Sequence, residues 1–247
     1  MVAWNTGRVV EKKQWSKALF SLYVESEIEP FKAGQFIKIA LEIDGEVIGR
    51  PYSLVNPPTR RPLEFYCIEV PNGPLTSRLT KIEAGNEILV APRAHGFMIL
   101  DEVPLARDLW MMATGTGVGP FLSILATDQP WQRFEHVVLV YAVRTLSELS
   151  YQELIAQISA KHPGQFTFIP FISREPSDFA LPGRIPQAIV DGQLESRAKI
   201  KIGAENSQVM LCGNPQMVKD TNNALIERGL KKHRRFDHGQ ITAENYW

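Results

Sequence analysis

The chain has 247 residues, enough for one large domain or two of ordinary size. Lys+Arg and Asp+Glu each number 27, so the net charge is zero and no global basic field points to nucleic acid. No apolar run reaches the roughly 18 residues that span a bilayer. The opening MVAWNTGRVVEKK lacks an apolar signal core. Two cysteines without a C-x-x-C pair exclude a disulfide framework and an iron–sulfur cluster held by this chain's own cysteines. The five histidines lack metal-ligand spacing. The expectation is a cytoplasmic monomer with no metal, membrane or nucleic-acid partner.

Up to about residue 98, short β-type runs alternate with turn signals: ALFSLYVES, GQFIKIALEI, EVIGRPYSLV, LEFYCIEV and NEILVAP. Asp44-Gly45 sits between two of them and reads as a hairpin turn. Strands at this spacing predict a closed antiparallel barrel. From about residue 108, the apolar runs DLWMMATG, HVVLVYAV, FTFIPFIS and VMLCG read as buried parallel strands. Between and after them lie the helical stretches GPFLSILATD, SELSYQELIAQISAK, RIPQAIVDGQLES and NPQMVKDTNNALIERG. That alternation predicts a parallel sheet with helices on both faces. In the last helix Asn214 fits the cap, Pro215 the first turn and Gly229 the end. The expected boundary lies near Phe97–Asp101, giving domains 1–100 and 101–247.

Residues 113–120, ATGTGVGP, join a strand to a helix. Gly115, Gly117 and Gly119 leave room for backbone N–H groups to approach a pyrophosphate at a helix N-terminus. Pro120 stands where the usual third glycine would be and fits the first helical turn instead. Residues 50–53 are Arg-Pro-Tyr-Ser, at the end of a β-run. Arg50 suits a phosphate, Tyr52 offers a ring face, and Ser53 suits a ring nitrogen. Further on, Gly73-Pro74-Leu75-Thr76 forms a second turn, with a hydroxyl and backbone donors.

R-P-Y-S, G-P-L-T, G-T-G-V-G-P and C-G-N-P, in that order, resemble the motifs of the ferredoxin–NADP reductase family across nearly the whole chain. The closing A-E-N-Y-W is most similar to the family's bacterial flavodoxin/ferredoxin–NADP reductases. The resemblance implies an FAD-binding barrel followed by an NADP-binding α/β domain whose tail returns to the flavin. It implies that Arg50 holds the FAD pyrophosphate, that Tyr52 stacks on the isoalloxazine and that Ser53 bonds near its N5, with Pro51 at a position the motif leaves open. Tyr66 would lie beside the flavin, and Pro74, Leu75 and Thr76 would close over the diphosphate. Thr116 would lie at the flavin–nicotinamide junction, with Cys212 and Asn214, Pro215 and Gln216 at the nicotinamide. Ser53, Cys212, Glu244 and Tyr246 are the candidate catalytic residues. Tyr246 would cover one flavin face and Trp247 would stack on a folded-back adenine. Cys67 has no motif context and reads as packing.

An acidic residue often follows the second strand of an NAD site. Here the second strand ends VYAVR, placing Arg144 at that point. Ser173-Arg174 ends the third strand, and Arg184 follows. Guanidinium groups suit a dianionic 2′-phosphate, and the family carries Ser-Arg and a later Arg for it, so NADP(H) is the expected dinucleotide. The implied chemistry is hydride transfer from NADPH to flavin N5, then single-electron transfer to a separate ferredoxin or flavodoxin. Such carriers are acidic, and RGLKKHRR at 228–235 reads either as a basic docking face or as charge at a helix C-terminus. Two alternatives stay open: a general flavin or quinone reductase, and a non-enzymatic nucleotide-binding scaffold.

Overall fold

The computed structural model describes residues 3–234 and 236–245. Its first half is an antiparallel sheet of β1 (Asn5–Gln14), β2 (Leu19–Glu25), β3 (Phe36–Ile43), β4 (Glu46–Ser53), β5 (Leu63–Ile68) and β6 (Glu87–Val90), with a single helical turn, α1 (Thr76–Leu79), between the last two. The strand order is β4-β3-β6-β1-β2-β5, and a Leu54–Phe65 bridge joins the two outer strands. The β3–β4 turn forms at Asp44 (φ 53°) and Gly45 (φ 83°), two left-handed residues whose twist matches that of the flanking strands. Alternate side chains, among them Phe20, Leu22, Ile37, Ile39 and Phe65, fill the interior. The sequence reading passed over β1, because NTGRVVEKKQ turns only Gly7 and Val9 fully inward.

The second half holds β7 (Asp108–Thr114), α2 (Gly119–Leu125), α3 (Gln129–Arg133), β8 (His136–Val143), α4 (Gln152–Lys161), β9 (Phe166–Ile172), β10 (Leu181–Pro182), α5 (Ile185–Val190), α6 (Gln193–Ala198), β11 (Ser207–Gly213), α7 (Pro215–Glu227) and β12 (Ile241–Asn245). The strands pair in parallel in the order β10-β9-β8-β7-β11-β12. Both faces are covered, which is why these strands read as unbroken apolar runs. One face packs Trp110, Val138 and Val140 under Leu225. The other packs Met111 and Leu139 with Phe121, and continues into Leu19, Val55 and Tyr66 from the first sheet. The fold class expected from the pattern is the one observed.

Local departures have backbone causes. The helix expected from Ser147 begins only at Gln152, because Tyr151 adopts φ 62° and breaks the stretch. The stretch 184–196 is split by Gly192 at φ 79° into α5 and α6. The basic run lies toward the other end of the second sheet. It follows α7, and His233 N donates to Ile241 O at the start of β12. The glycine turn lies at the opposite, carboxyl end of the strands. His233 therefore lies roughly 13 Å from that end, at ~3.3 Å per strand residue.

Candidate functional site

The site gathers at the carboxyl ends of β7, β8, β9 and β11. Gly115 takes φ 53° with open space beside it, and starts a 3-10 turn that runs into α2. Gly117 serves a different need: a Cβ there would stand 2.6 Å from Cys212 O, so this glycine lets the turn settle on β11. Gly213 has φ 131°, and a Cβ on it would meet Thr114 Oγ1 at 2.3 Å. Asn214 N donates to the same Oγ1 at 2.8 Å, stapling the ends of β7 and β11 together. Asn214 Oδ1 accepts from the amides of Gln216 (2.9 Å) and Met217 (3.3 Å), capping α7 as expected and using two of its free donors.

Around these ends lies a cleft of about 430 Å³ that brings together Gly115, Thr116, Arg144, Ser173, Arg174, Arg184, Asn214 and Gln216. Leu19 and Ile68 of the first sheet form part of its wall, so both sheets bound it. Arg174 N donates to Arg144 O at 2.9 Å, which holds the two arginine loops side by side. None of the three guanidinium groups forms an ion pair with a described residue. Three unpaired cations in one cleft favour a polyanion. Pro215 and Cys212 are not among the residues facing this cleft. Cys212 is fully buried, with Val118 and Tyr66 in the same packed cluster. The sequence reading missed two carboxylates in the wall, Glu148 and Asp220. Their signals were spacing: Glu148 lies four residues beyond Arg144, and Asp220 one helical turn beyond Gln216, from whose Nε2 it accepts at 2.7 Å.

The R-P-Y-S stretch ends β4. Arg50 and Pro51 are exposed, and Arg50 Nη1 donates to Gly49 O at 2.8 Å. Tyr52 is half-buried, and burial raises its phenol. Ser53 is buried against the second sheet's glycine turn, since a Cβ on Gly119 would lie 3.9 Å from its own Cβ. Tyr66 is buried, its phenol pushed up to about 12 chiefly by burial, and its hydroxyl donates to Ser150 Oγ at 2.8 Å. Cys67, read as packing, is fully buried in the barrel interior.

In the G-P-L-T turn the Leu75 and Thr76 side chains are engaged locally. Leu75 packs its side chain into the barrel interior. Thr76 Oγ1 accepts from Val70 N and donates to Val70 O, at 3.2 and 3.3 Å, so its hydroxyl closes the turn. What these two residues can offer a phosphate is main chain. Pro74 and Arg78, with the β3–β4 hairpin, line a second groove of about 410 Å³.

Glu244 lies on β12 in register with Cys212. Its Oε1 faces Gly96, where a Cβ would stand 3.8 Å away. Its Oε2 is buried and makes no hydrogen bond with a described residue. Burial alone pushes this carboxyl up to about 7. Tyr246 and Trp247, for which stacking roles were expected, lie outside the described residues.

An antiparallel barrel fused to a parallel sheet, with a glycine turn and a cationic cleft at the strand ends, defines a nicotinamide-dinucleotide oxidoreductase. The family described as oxidoreductase NAD-binding domain matches residues 111–223. The flavodoxin/ferredoxin–NADP reductase of Escherichia coli is 47% identical over 248 residues, covering 100% of both chains. The ferredoxin–NADP reductase of Pseudomonas aeruginosa is 35% identical over 92% of this chain and 90% of its own. Among solved structures, a ferredoxin NADP+ reductase from Neisseria gonorrhoeae with bound FAD and NADP superposes with a TM-score of 0.95 at 31% identity, over 100% of each chain. The chain belongs to the flavodoxin/ferredoxin–NADP reductase family.

Proposed function

We propose that the protein is an FAD-dependent reductase that moves electrons between NADPH and a separate one-electron carrier, a ferredoxin or flavodoxin. The observation that carries this reading is the convergence of Arg144, Arg174 and Arg184, all unpaired among the described residues, in one cleft with the Gly115 turn. The donor set fits the dinucleotide: guanidinium groups for a 2′-phosphate at one end, and an open glycine turn for the pyrophosphate. The barrel side fits the flavin: an exposed guanidinium at Arg50, a ring at Tyr52, and an orphaned carboxylate oxygen on Glu244. Bound FAD supplies the conversion of a hydride into two single-electron transfers.

The chain's own residues bind, orient and handle the proton. Arg50, with the main chain of residues 74–76, holds the FAD diphosphate, and Tyr52 supports the ring. Thr116, Asn214 and Gln216 orient the nicotinamide. Ser53 and Glu244 exchange the proton that accompanies the electrons, with Glu244 carrying it near neutrality. Cys212 backs the nicotinamide pocket from beneath. The functional division falls between residues 1–100 and 101–247, and the protein works as a cytoplasmic monomer.

The test is an absorbance spectrum of the purified protein followed by anaerobic titration with NADPH. A flavin spectrum that bleaches with NADPH supports the reading. A colourless protein that takes up no FAD on reconstitution overturns it. Retention of FAD through gel filtration separates it from a reductase of free flavins.

A further inference from the structure

The segment Arg144–Tyr151 touches the cleft at one end and the barrel at the other. At the cleft end, Arg144 and Glu148 form part of the wall, and Glu148 Oε2 accepts from Arg144 N at 3.0 Å. One residue pair further on, Glu148 O accepts from Ser150 N at 2.9 Å. Ser150 Oγ then accepts from the Tyr66 hydroxyl at 2.8 Å, which crosses to β5. Tyr151 crosses beside it. Its hydroxyl donates to Glu64 Oε1 at 2.7 Å and shares a 2.8 Å bond with Ser21 Oγ. Trp15 Nε1 donates to that same Oγ at 2.9 Å, and because the one phenol proton goes to Glu64 the order of the chain is indole to serine, serine to phenol, phenol to carboxylate. The Tyr151 ring packs 4.4 Å from Trp15 and 5.0 Å from Tyr66. Tyr151 holds this position at φ 62°, a left-handed conformation that costs a bulky residue energy and persists only where its surroundings hold it.

We propose that this segment couples the two halves of the site, with Ser150 as a positioning residue through which an occupied 2′-phosphate position tightens the grip on FAD. A phosphate held by Arg144 fixes the loop that Glu148 closes. Fixing Glu148 fixes the carbonyl that Ser150 bonds, and Ser150 in turn fixes the Tyr66 phenol on β5. The inference rests on the reading of the cleft as the NADPH site and of Tyr66 as a neighbour of the flavin. Because linkage is reciprocal, FAD tightens the phosphate ligand by the same factor.

The experiment uses the flavin-loaded protein and two small probes. Adenosine 2′,5′-bisphosphate carries the 2′-phosphate without a nicotinamide, and adenosine 5′-phosphate lacks it. FAD release on dilution is followed by fluorescence with and without each probe. Wild-type release slows about 10-fold with the bisphosphate, within the usual span of coupling between sites, and does not change with the 5′-phosphate. In Ser150→Ala the slowing falls below about 2-fold, and the bisphosphate still binds the flavin-loaded variant but about 5-fold more weakly than the wild type, as reciprocity requires. Ser150→Ala leaves the Tyr66 hydroxyl with only its long 3.5 Å contact to the Tyr141 hydroxyl, so the double variant Tyr66→Phe/Ser150→Ala, which removes both groups, serves as the second reading. Its two ligands bind independently. Bisphosphate binding that leaves wild-type FAD release unchanged overturns the coupling alone. Slowing that persists in both variants shows that another route carries it and overturns the role of Ser150. Failure of the bisphosphate to bind at all overturns the NADPH reading and the coupling with it.

Discussion

Glu244 carries the most informative single charge in the site. Its carboxyl is raised by burial from the ordinary 4.5 to about 7. Folding therefore favours the protonated form. The stability is complete below about pH 4.5, falls as the pH rises through the interval to about 7, and is constant above it. Glu244→Gln removes that slope. Urea unfolding at pH 8 should show the variant more stable than the wild type by roughly 2–3 kcal/mol, and the gap should close by pH 4.5. A gap that does not vary with pH would mean the carboxylate is hydrated and not enclosed. The arginines make a separate prediction. Arg174→Ala or Arg184→Ala loses a phosphate contact of about 2 kcal/mol, so kcat/KM for NADPH should fall about 30-fold while that for NADH holds. Equal losses with both would make these arginines structural. At this scale the sequence was readable where a residue's position after a strand decided its exposure, as for Arg144 and Arg174. It was unreadable where a side chain was already spent. The Thr76 hydroxyl looks available in the sequence but is bonded to Val70. Gly117 reads as a phosphate glycine but makes room for Cys212 O.

Among the elements, α7 shows how local chemistry fixes a site. Its cap, Asn214, stands on the loop that faces the cleft. Asn214→Ala should cost about 1 kcal/mol in thermal or urea unfolding, the usual worth of such a cap. It should also raise KM for NADPH more than it lowers kcat, because the loop that orients the dinucleotide loosens. The neighbouring Gly213→Ala is more severe. Its φ of 131° disfavours any side chain, and the added carbon would press on Thr114. The ends of β7 and β11 must then part, so a loss of NADPH affinity exceeding that of Asn214→Ala is expected by titration. The long apolar strands and this capped helix could be read from the sequence because period, cap and glycine agree. The short helices α1 and α3 escaped, and so did the strands β1, β10 and β12. The first is polar on its outer face, the second is two residues long, and the third, ITAEN, buries fully only Ile241. Their strand state is decided by the neighbour they pair with, and tertiary pairing is not written in a local pattern.

At the scale of the whole molecule, the two sheets are joined by buried contacts as well as by the chain, and the Tyr151–Glu64 bond is the shortest polar contact in that junction described above. Tyr151→Phe leaves Glu64 with one phenol partner fewer and breaks the ordered chain from Trp15. A loss of about 1–3 kcal/mol is expected, and if the junction unites the halves, the variant's calorimetric transition should broaden or split. A single sharp transition at the wild-type temperature would make the clasp decorative. Charge is distributed unevenly on this neutral molecule: unpaired arginines at the carboxyl ends of the strands, and the basic run at their other end. The order β10-β9-β8-β7-β11-β12 also has a consequence for synthesis. The centre strand β7 leaves the ribosome first, and β8, β9 and β10 extend the sheet to one side only. Until β11 and α7 arrive, one edge of β7 stays open and the apolar face bearing Trp110 and Met112 is only partly covered. An open edge beside uncovered apolar surface is the kind of intermediate that chaperones hold. Chains stalled with Pro182 just emerged should therefore be captured by a holdase chaperone, and chains stalled with Glu227 emerged should be released. Equal capture at both lengths would mean that the first half of the sheet already shields itself.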